Sequence, residues 1–425
     1  MSFEDHRNYA TALDREDPLA GYRGQFSLPR EKHGRTPVYL CGNSLGLQPK
    51  LARRYVEQEL DKWADEAVDG HVTGNRPWLS YHQHATQGFA TLTGASPREV
   101  VAMNTLTVNL HVLMASFYRP TPERYRIVIE SKAFPSDRYA VQSQLRLHGF
   151  DPDEGLVEWR AANEDGRLAI DDLASILERQ GDSIALLLLP GVQYYTGQVL
   201  DMAAICELGR KAGCAVGLDL AHAIGNVELS LSEWAPDFAA WCTYKYLNSG
   251  PGAIAGAFVP ERHLAPDALN QLHGWWSNAE ASRFRMLPTF EPADGVERWQ
   301  VSNPPILSLA PVAASLTLFL ECGLDALIRK SRKLTGYLDW LVERRFGNSI
   351  GIITPPDARG CQLSLIVRDR NIDPKRLFDR LCALNVTGDW REPDVIRVAP
   401  VPMYNSFLDV FEFAERLALA LEEQT

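Results

Sequence analysis

Residues 214–256 read CAVGLDLAHAIGNVELSLSEWAPDFAAWCTYKYLNSGPGAIAG. Cys214–Leu220 has the character of a buried strand closed by an acid, Asp219. A second apolar run, 238–242, leads into Tyr244-Lys245, and Gly250, Gly252 and Gly256 loosen the backbone before the next strand. Outward from this stretch the pattern repeats. Strands are expected near 100–103, 126–130, 155–160 and 184–189, with helices at 138–147, 170–180 and 201–213 between them. Strand alternating with helix argues for an α/β fold, a mainly parallel sheet with helices on both faces. Sites on such sheets lie at the carboxyl ends of the strands, where Phe134, Asp219 and Lys245 fall.

Composition narrows the function. The 425 residues exceed one comfortable core, so two subdomains are expected. The formal charge of −11 argues against a nucleic-acid or membrane-surface role. No apolar run approaches the roughly 20 residues of a membrane span. The polar N-terminus, MSFEDHRNYA, lacks a signal-peptide apolar region. Seven scattered cysteines without a CxxC pair fit reduced thiols and a cytoplasmic location. No metal constellation is expected. His82 and His84 form an HxH, but on a polar helical stretch read as surface.

The candidate chemistry centres on Lys245 and Asp219. A lysine at one strand end and an acid at another suit a cofactor-bound carbonyl: the lysine can hold pyridoxal phosphate as a Schiff base, and the acid can pair with the ring nitrogen. Asn104–His111 runs into an apolar helix. Its threonines read equally as an N-cap or, with the first backbone N–H groups, as an anion site. Phe134 either stacks on a flat cofactor or staples the core above a Ser136/Asp137 cap. From 50 to 68, Val56, Leu60, Trp63 and Ala67 recur at helical spacing. The loop after it carries His71, and 272–301 is long and irregular, as a functional or interface segment would be. Beyond residue 305 come helices near 308–321 and 325–345. An α+β tail follows, with strands near 350–354, 362–368 and 394–399 and helices near 374–384 and 406–422.

The wording of the motifs is more specific than their spacing. GNSLGLQP (42–49), Asp-Leu-Ala-His (219–222), TYKYLNSGPG (243–252) and IRVAPVPMYNSF (396–407) closely resemble the kynureninase family, over nearly the whole chain. The resemblance implies the pyridoxal phosphate-dependent transferase fold type I, class V-like, with a seven-stranded sheet and a smaller α+β domain. Composition shifts near residue 305, the candidate start of the C-terminal domain, so the expected division is an arm and helices (1–70), a cofactor-binding domain (71–305) and a C-terminal domain (306–425). The resemblance also implies a homodimer that cleaves L-kynurenine or its 3-hydroxy form to an anthranilate and L-alanine, in tryptophan degradation or NAD biosynthesis.

By the same resemblance Lys245 carries the cofactor, Asp219 holds its ring nitrogen and His222 meets its phenolic oxygen. Phe134 stacks on the ring, with Pro135, Ser136 and Asp137 in the same shell. Leu106, Thr107 and Tyr244 bind the phosphate, and Trp275 and Asn303 reach it from the partner subunit. Tyr244 relays a proton, Arg397 clamps the substrate carboxylate, and His71, Ser44 and Trp275 contact the aryl ketone. Pro190 stands where part of the family carries serine. The structural alternative for Arg397 is a pair with Asp394 or Glu392. The alternatives in function are another class V enzyme, such as a cysteine desulfurase or aminotransferase, or an inactive homologue kept as an assembly partner. Cys361 and Cys382, expected in a strand and a helix, argue against the desulfurase, which needs a mobile catalytic cysteine.

Overall fold

The computed structural model describes residues 3–162, 166–265 and 269–423. Its centre is a seven-stranded mixed sheet. In chain order the strands are β1 (Val100–Ala102), β2 (Arg126–Glu130), β3 (Leu156–Trp159), β4 (Ile184–Pro190), β5 (Ala215–Asp219), β6 (Phe238–Trp241) and β7 (Gly256–Phe258). They lie in the order β1-β7-β6-β5-β4-β2-β3. Strands β3, β2, β4, β5 and β6 run parallel, and β7 is antiparallel to both neighbours. The parallel strands are almost continuously apolar, as burial on both faces requires. Two glycines make the packing possible: a Cβ on Gly217 would come within 2.2 Å of the Phe238 ring, and one on Gly256 within 2.3 Å of Trp241.

The first longer helices in chain order are α1 (Arg7–Glu16), α2 (Lys50–Glu66), α3 (Gln83–Thr93), α4 (Leu106–Phe117) and α5 (Pro135–Leu147); α4 and α5 reach the site, and α5 follows β2 and begins with proline at its first turn, where a missing N–H costs nothing. The helix Ile306–Cys322 packs against α2 and α3, and its Leu309, Val312, Leu316 and Phe319 join the core beneath the large sheet. Helix α2 forms where its spacing predicts, but its apolar stripe is not core. Leu60 is 43% exposed and Trp63 62%. The HxH reading is also corrected. His82 is buried, its Nε2 lying 3.0 Å from Glu297 Oε1, while His84 is exposed.

A second, four-stranded antiparallel sheet comprises β8 (Ile350–Ile352), β9 (Leu363–Val367), β10 (Asp389–Arg391) and β11 (Val395–Val398), in the order β8-β9-β11-β10. Cys361 lies in the turn just before β9 rather than in the strand, and Cys382 lies in the helix Pro374–Ala383. The N-terminal arm is woven into this part. Val38–Tyr39 pairs in parallel with Val386–Thr387, Ala399 N–H donates to Leu40 O (2.8 Å), and α1 packs on the helix Phe407–Glu422. No single described helix is long and apolar enough to cross a membrane.

Candidate active site

The carboxyl ends of β2, β4, β5 and β6 surround a cavity of about 160 Å³. Lys245 enters it from the turn after β6. Its Nζ is 2.9 Å from His222 Nε2, and 5.9 Å from the centroid of the Phe134 ring. His222 follows β5 by a short turn and is buried, with Nδ1 unpartnered among the described residues. Burial, then the charges of Lys245, Arg397 and Arg391, holds the imidazole well below its usual pKa, so it stays neutral.

Asp219 closes β5, opposite Pro190 of β4 in register. Its Oδ1 accepts the Ala221 N–H at 2.7 Å. Two further carboxyls share this end. Asp137, in the first turn of α5, lies beside Asp219 and is pushed well above the carboxylate range, chiefly by burial and then by the Asp219 charge. Asp137 therefore keeps its proton. Glu130, the last residue of β2, is pushed up to about 8 by burial, with Asp219 adding to the rise.

The other end of the cavity is built for an anion. Helix α4 starts there at Leu106, and its N-cap, Thr105, makes no side-chain capping hydrogen bond, so the first-turn N–H groups face the cavity uncapped. The hydroxyls of Thr107 and Ser136 meet at 2.8 Å beside them. Pro135 starts α5 rather than lining the cavity. The ring of Phe134 stands edge-on to Tyr194 at 5.2 Å, and Tyr244 lines the wall with its phenol pushed up by burial and by Cys242. Such a phenol keeps its proton at neutral pH.

An amine at one end, a carboxylate across from it and an uncapped helix terminus with hydroxyls fit pyridoxal phosphate. Lys245 would take the aldehyde carbon, Asp219 the ring nitrogen, and Leu106, Thr107 and Ser136 the phosphate.

The remaining expected residues lie elsewhere in the chain. His71, Trp275 and Asn303 gather with Trp78 and Phe284 around a separate cavity of about 540 Å³. Ser44 lines neither cavity, and its N–H donates to Cys41 O (3.0 Å). The glycine two residues on makes the contact instead: Gly46 N–H donates to Tyr244 O at 2.8 Å, and a Cβ there would come within 2.4 Å of Lys245 O.

Arg397 is 1% exposed and pairs with Asp389, directly opposite it across the sheet, and not with Asp394 or Glu392. Asp394 accepts from the Tyr195 hydroxyl (3.0 Å), and Glu392 from Trp390 Nε1 (3.0 Å). Glu130, Tyr194, Gly46, Asp389 and Arg391 escaped the sequence reading. Of these, only Gly46 sits inside a quoted motif.

Residues 48–349 match the aminotransferase class-V model, and 327–417 match the kynureninase C-terminal domain. The chain is 52% identical to the kynureninase of Xanthomonas campestris pv. campestris (strain B100), covering 97% of each. Among solved structures, a cysteine desulfurase from Escherichia coli superposes with a TM-score of 0.77 at 17% identity, covering 95% of this chain and 98% of that one. A cystine lyase mutant with glycine covalently linked to its pyridoxal phosphate follows at 0.75 and 18%, covering 90% and 96%. At such identities these two speak for the fold alone.

Proposed function

The chain belongs to the kynureninase family of pyridoxal phosphate-dependent hydrolases, and on that premise we propose that the Lys245 cavity cleaves the Cβ–Cγ bond of L-kynurenine, or of 3-hydroxy-L-kynurenine, to an anthranilate and L-alanine. The observation that carries this reading is the convergence of Lys245, His222 and Asp219 on one small cavity with an uncapped helix terminus.

When bound, the cofactor supplies an electron sink for breaking a carbon–carbon bond. The side chains do the rest. The Lys245 amine holds the cofactor and moves the proton on the substrate's Cα. Neutral His222 accepts an N–H of Lys245 and holds Nζ in place. Asp219, beside the protonated Asp137, is the carboxyl group placed to hold the ring nitrogen. The protonated phenol of Tyr244 is suited to relay a proton for the water that adds to the γ-carbonyl. Arg397 takes the α-carboxylate, with its Nε, which has no partner among the described residues, as the available donor.

The assembly in this reading is a homodimer in the cytoplasm, serving tryptophan degradation or NAD biosynthesis. Exposed apolar side chains support the dimer: Leu60 and Trp63 on α2, Trp275 (48% exposed) and Phe284. A second copy would bring its Trp275, Asn303 and His71 toward the Lys245 cavity. Sedimentation giving an active monomer rejects this arrangement.

The cysteine desulfurase alternative has less support: among the described residues no cysteine lines the Lys245 cavity, and Cys361 is buried. Steady-state rates with L-kynurenine and its 3-hydroxy form test the main reading. Formation of an anthranilate with L-alanine is the expected result, and turnover of neither compound overturns it.

A further inference from the structure

We propose that Arg391 and Asp389 complete the α-carboxylate site around Arg397, with Arg391 as a positioning residue that leaves the cluster one positive charge in surplus. This deepens the reading above and rests on it for the role of Arg397. The arrangement begins with sheet register. Asp389 lies directly across from Arg397 between β10 and β11, and Arg391 is two residues further along β10, on the same face. Both guanidinium groups reach one oxygen: Arg397 Nη2 pairs with Asp389 Oδ2, and Arg391 Nη2 donates to the same atom at 3.0 Å.

The cluster is joined to the cofactor cavity by Tyr194. Arg397 Nη1 donates to Tyr194 O at 2.7 Å. The guanidinium carbons of Arg397 and Arg391 lie 5.9 and 6.0 Å from its ring centroid. That ring in turn stands against Phe134 and lines the cavity.

Charge decides what the cluster can bind. Arg397 and Asp389 alone sum to zero, and a neutral pair has little attraction for a carboxylate. Arg391 restores a single positive charge, matching the single negative charge of an amino acid's carboxylate. Hydrogen bonding points the same way. The Nε of both arginines is buried without a partner among the described residues, and Arg397 is itself 1% exposed. Buried charged donors left unpaired are costly, and an incoming carboxylate oxygen satisfies them. Burial also depresses the Arg397 pKa, against the pull of Asp389, so this guanidinium gains from every anion near it.

The test uses holoenzyme and two probes that lack the aryl ketone, L-alanine and L-alaninamide, with apparent Kd values from calorimetry. The expected result for Arg391→Gln is L-alanine binding weakened by about tenfold or more, the scale of unpairing a desolvated charge, with L-alaninamide changed by less than about twofold. The double variant Asp389→Asn with Arg391→Gln restores the single surplus charge and binds L-alanine more tightly than Arg391→Gln alone. Unchanged L-alanine binding in Arg391→Gln overturns the proposal. So does equal weakening of both probes, or a double variant weaker than either single one, since a purely structural role predicts accumulating losses. Turnover of L-kynurenine by the unaltered enzyme is scored separately: its absence sinks the functional reading, while the alanine probes still decide the carboxylate site.

Discussion

Lys245 Nζ lies 2.9 Å from His222 Nε2, two residues that follow adjacent strands, β6 and β5, and line one cavity. The contact joins an amine to an imidazole held neutral by burial and by the surrounding cations. It keeps the amine aimed at the space between Asp219 and the start of α4. Borohydride reduction of the holoenzyme followed by peptide mapping should therefore fix the cofactor on the peptide containing Lys245. Label on any other lysine removes Lys245 from the centre.

Asp219→Asn keeps an oxygen for the Ala221 N–H but removes the charge. The fold and cofactor binding should survive, while turnover falls at least about a hundredfold, the scale of losing a preorganised electrostatic group. Turnover within a few fold of the parent refutes the role.

Gly46→Ala should damage the site without touching any catalytic atom. The added methyl meets Lys245 O at 2.4 Å and the Asn248 Cα at 2.7 Å, both backbone atoms that cannot rotate away. The backbone bearing Tyr244 and Lys245 has to shift. A lower Tm and weaker cofactor retention, by absorbance after dialysis, are expected; an unchanged protein shows that the turn is not seated as described.

Glu130 gives a pH prediction with a definite sign. Its folded pKa, about 8, lies above the value for an exposed glutamate, so the folded state binds the extra proton. Its contribution to stability is full below the unfolded pKa and is lost as pH rises toward about 8. The groups that act on it are Asp219 on β5, Arg138 on α5 and Gln193 after β4. Glu130→Gln keeps the shape and removes the titration. The variant's Tm should exceed the parent's at pH 8 by more than at pH 5; parallel Tm curves reject the assignment.

Much of this was legible in advance, for identifiable reasons. Strand β2 and the helix at 170–180 fall where apolar periodicity puts them, because both are buried by regular contacts along their length. Lys245, Asp219, His222, Phe134 and Thr107 come together because strand ends in a parallel sheet must share one edge. What escaped depends on contacts between segments far apart in the chain. His82 looks like a surface histidine until Glu297, 215 residues later, covers it. Glu130 reads as an ordinary strand end until Asp137 and Asp219 close around it. The stripe of α2 has the periodicity of a core helix, yet Leu60 and Trp63 face outward, since periodicity marks a face for burial without naming what buries it. The pairing of Arg397 with Asp389 follows from strand register, which spacing alone leaves open.

The parallel pairing of Val38–Tyr39 with Val386–Thr387 has a consequence for how the chain is made. Asn385 Nδ2 donates to Arg35 O across 350 residues, so the arm's partner is synthesised long after the arm itself. At the usual pace of translation the arm waits roughly 20–70 s before its neighbour exists. During that time the strand edge at Val38 and the apolar face of α1 have nothing to cover them, while the large sheet can already assemble. The arm works as a late fastener: it pairs only once residues 386–399 exist, and it ties the turn at Gly46, and so the backbone of Lys245, to that later part of the chain.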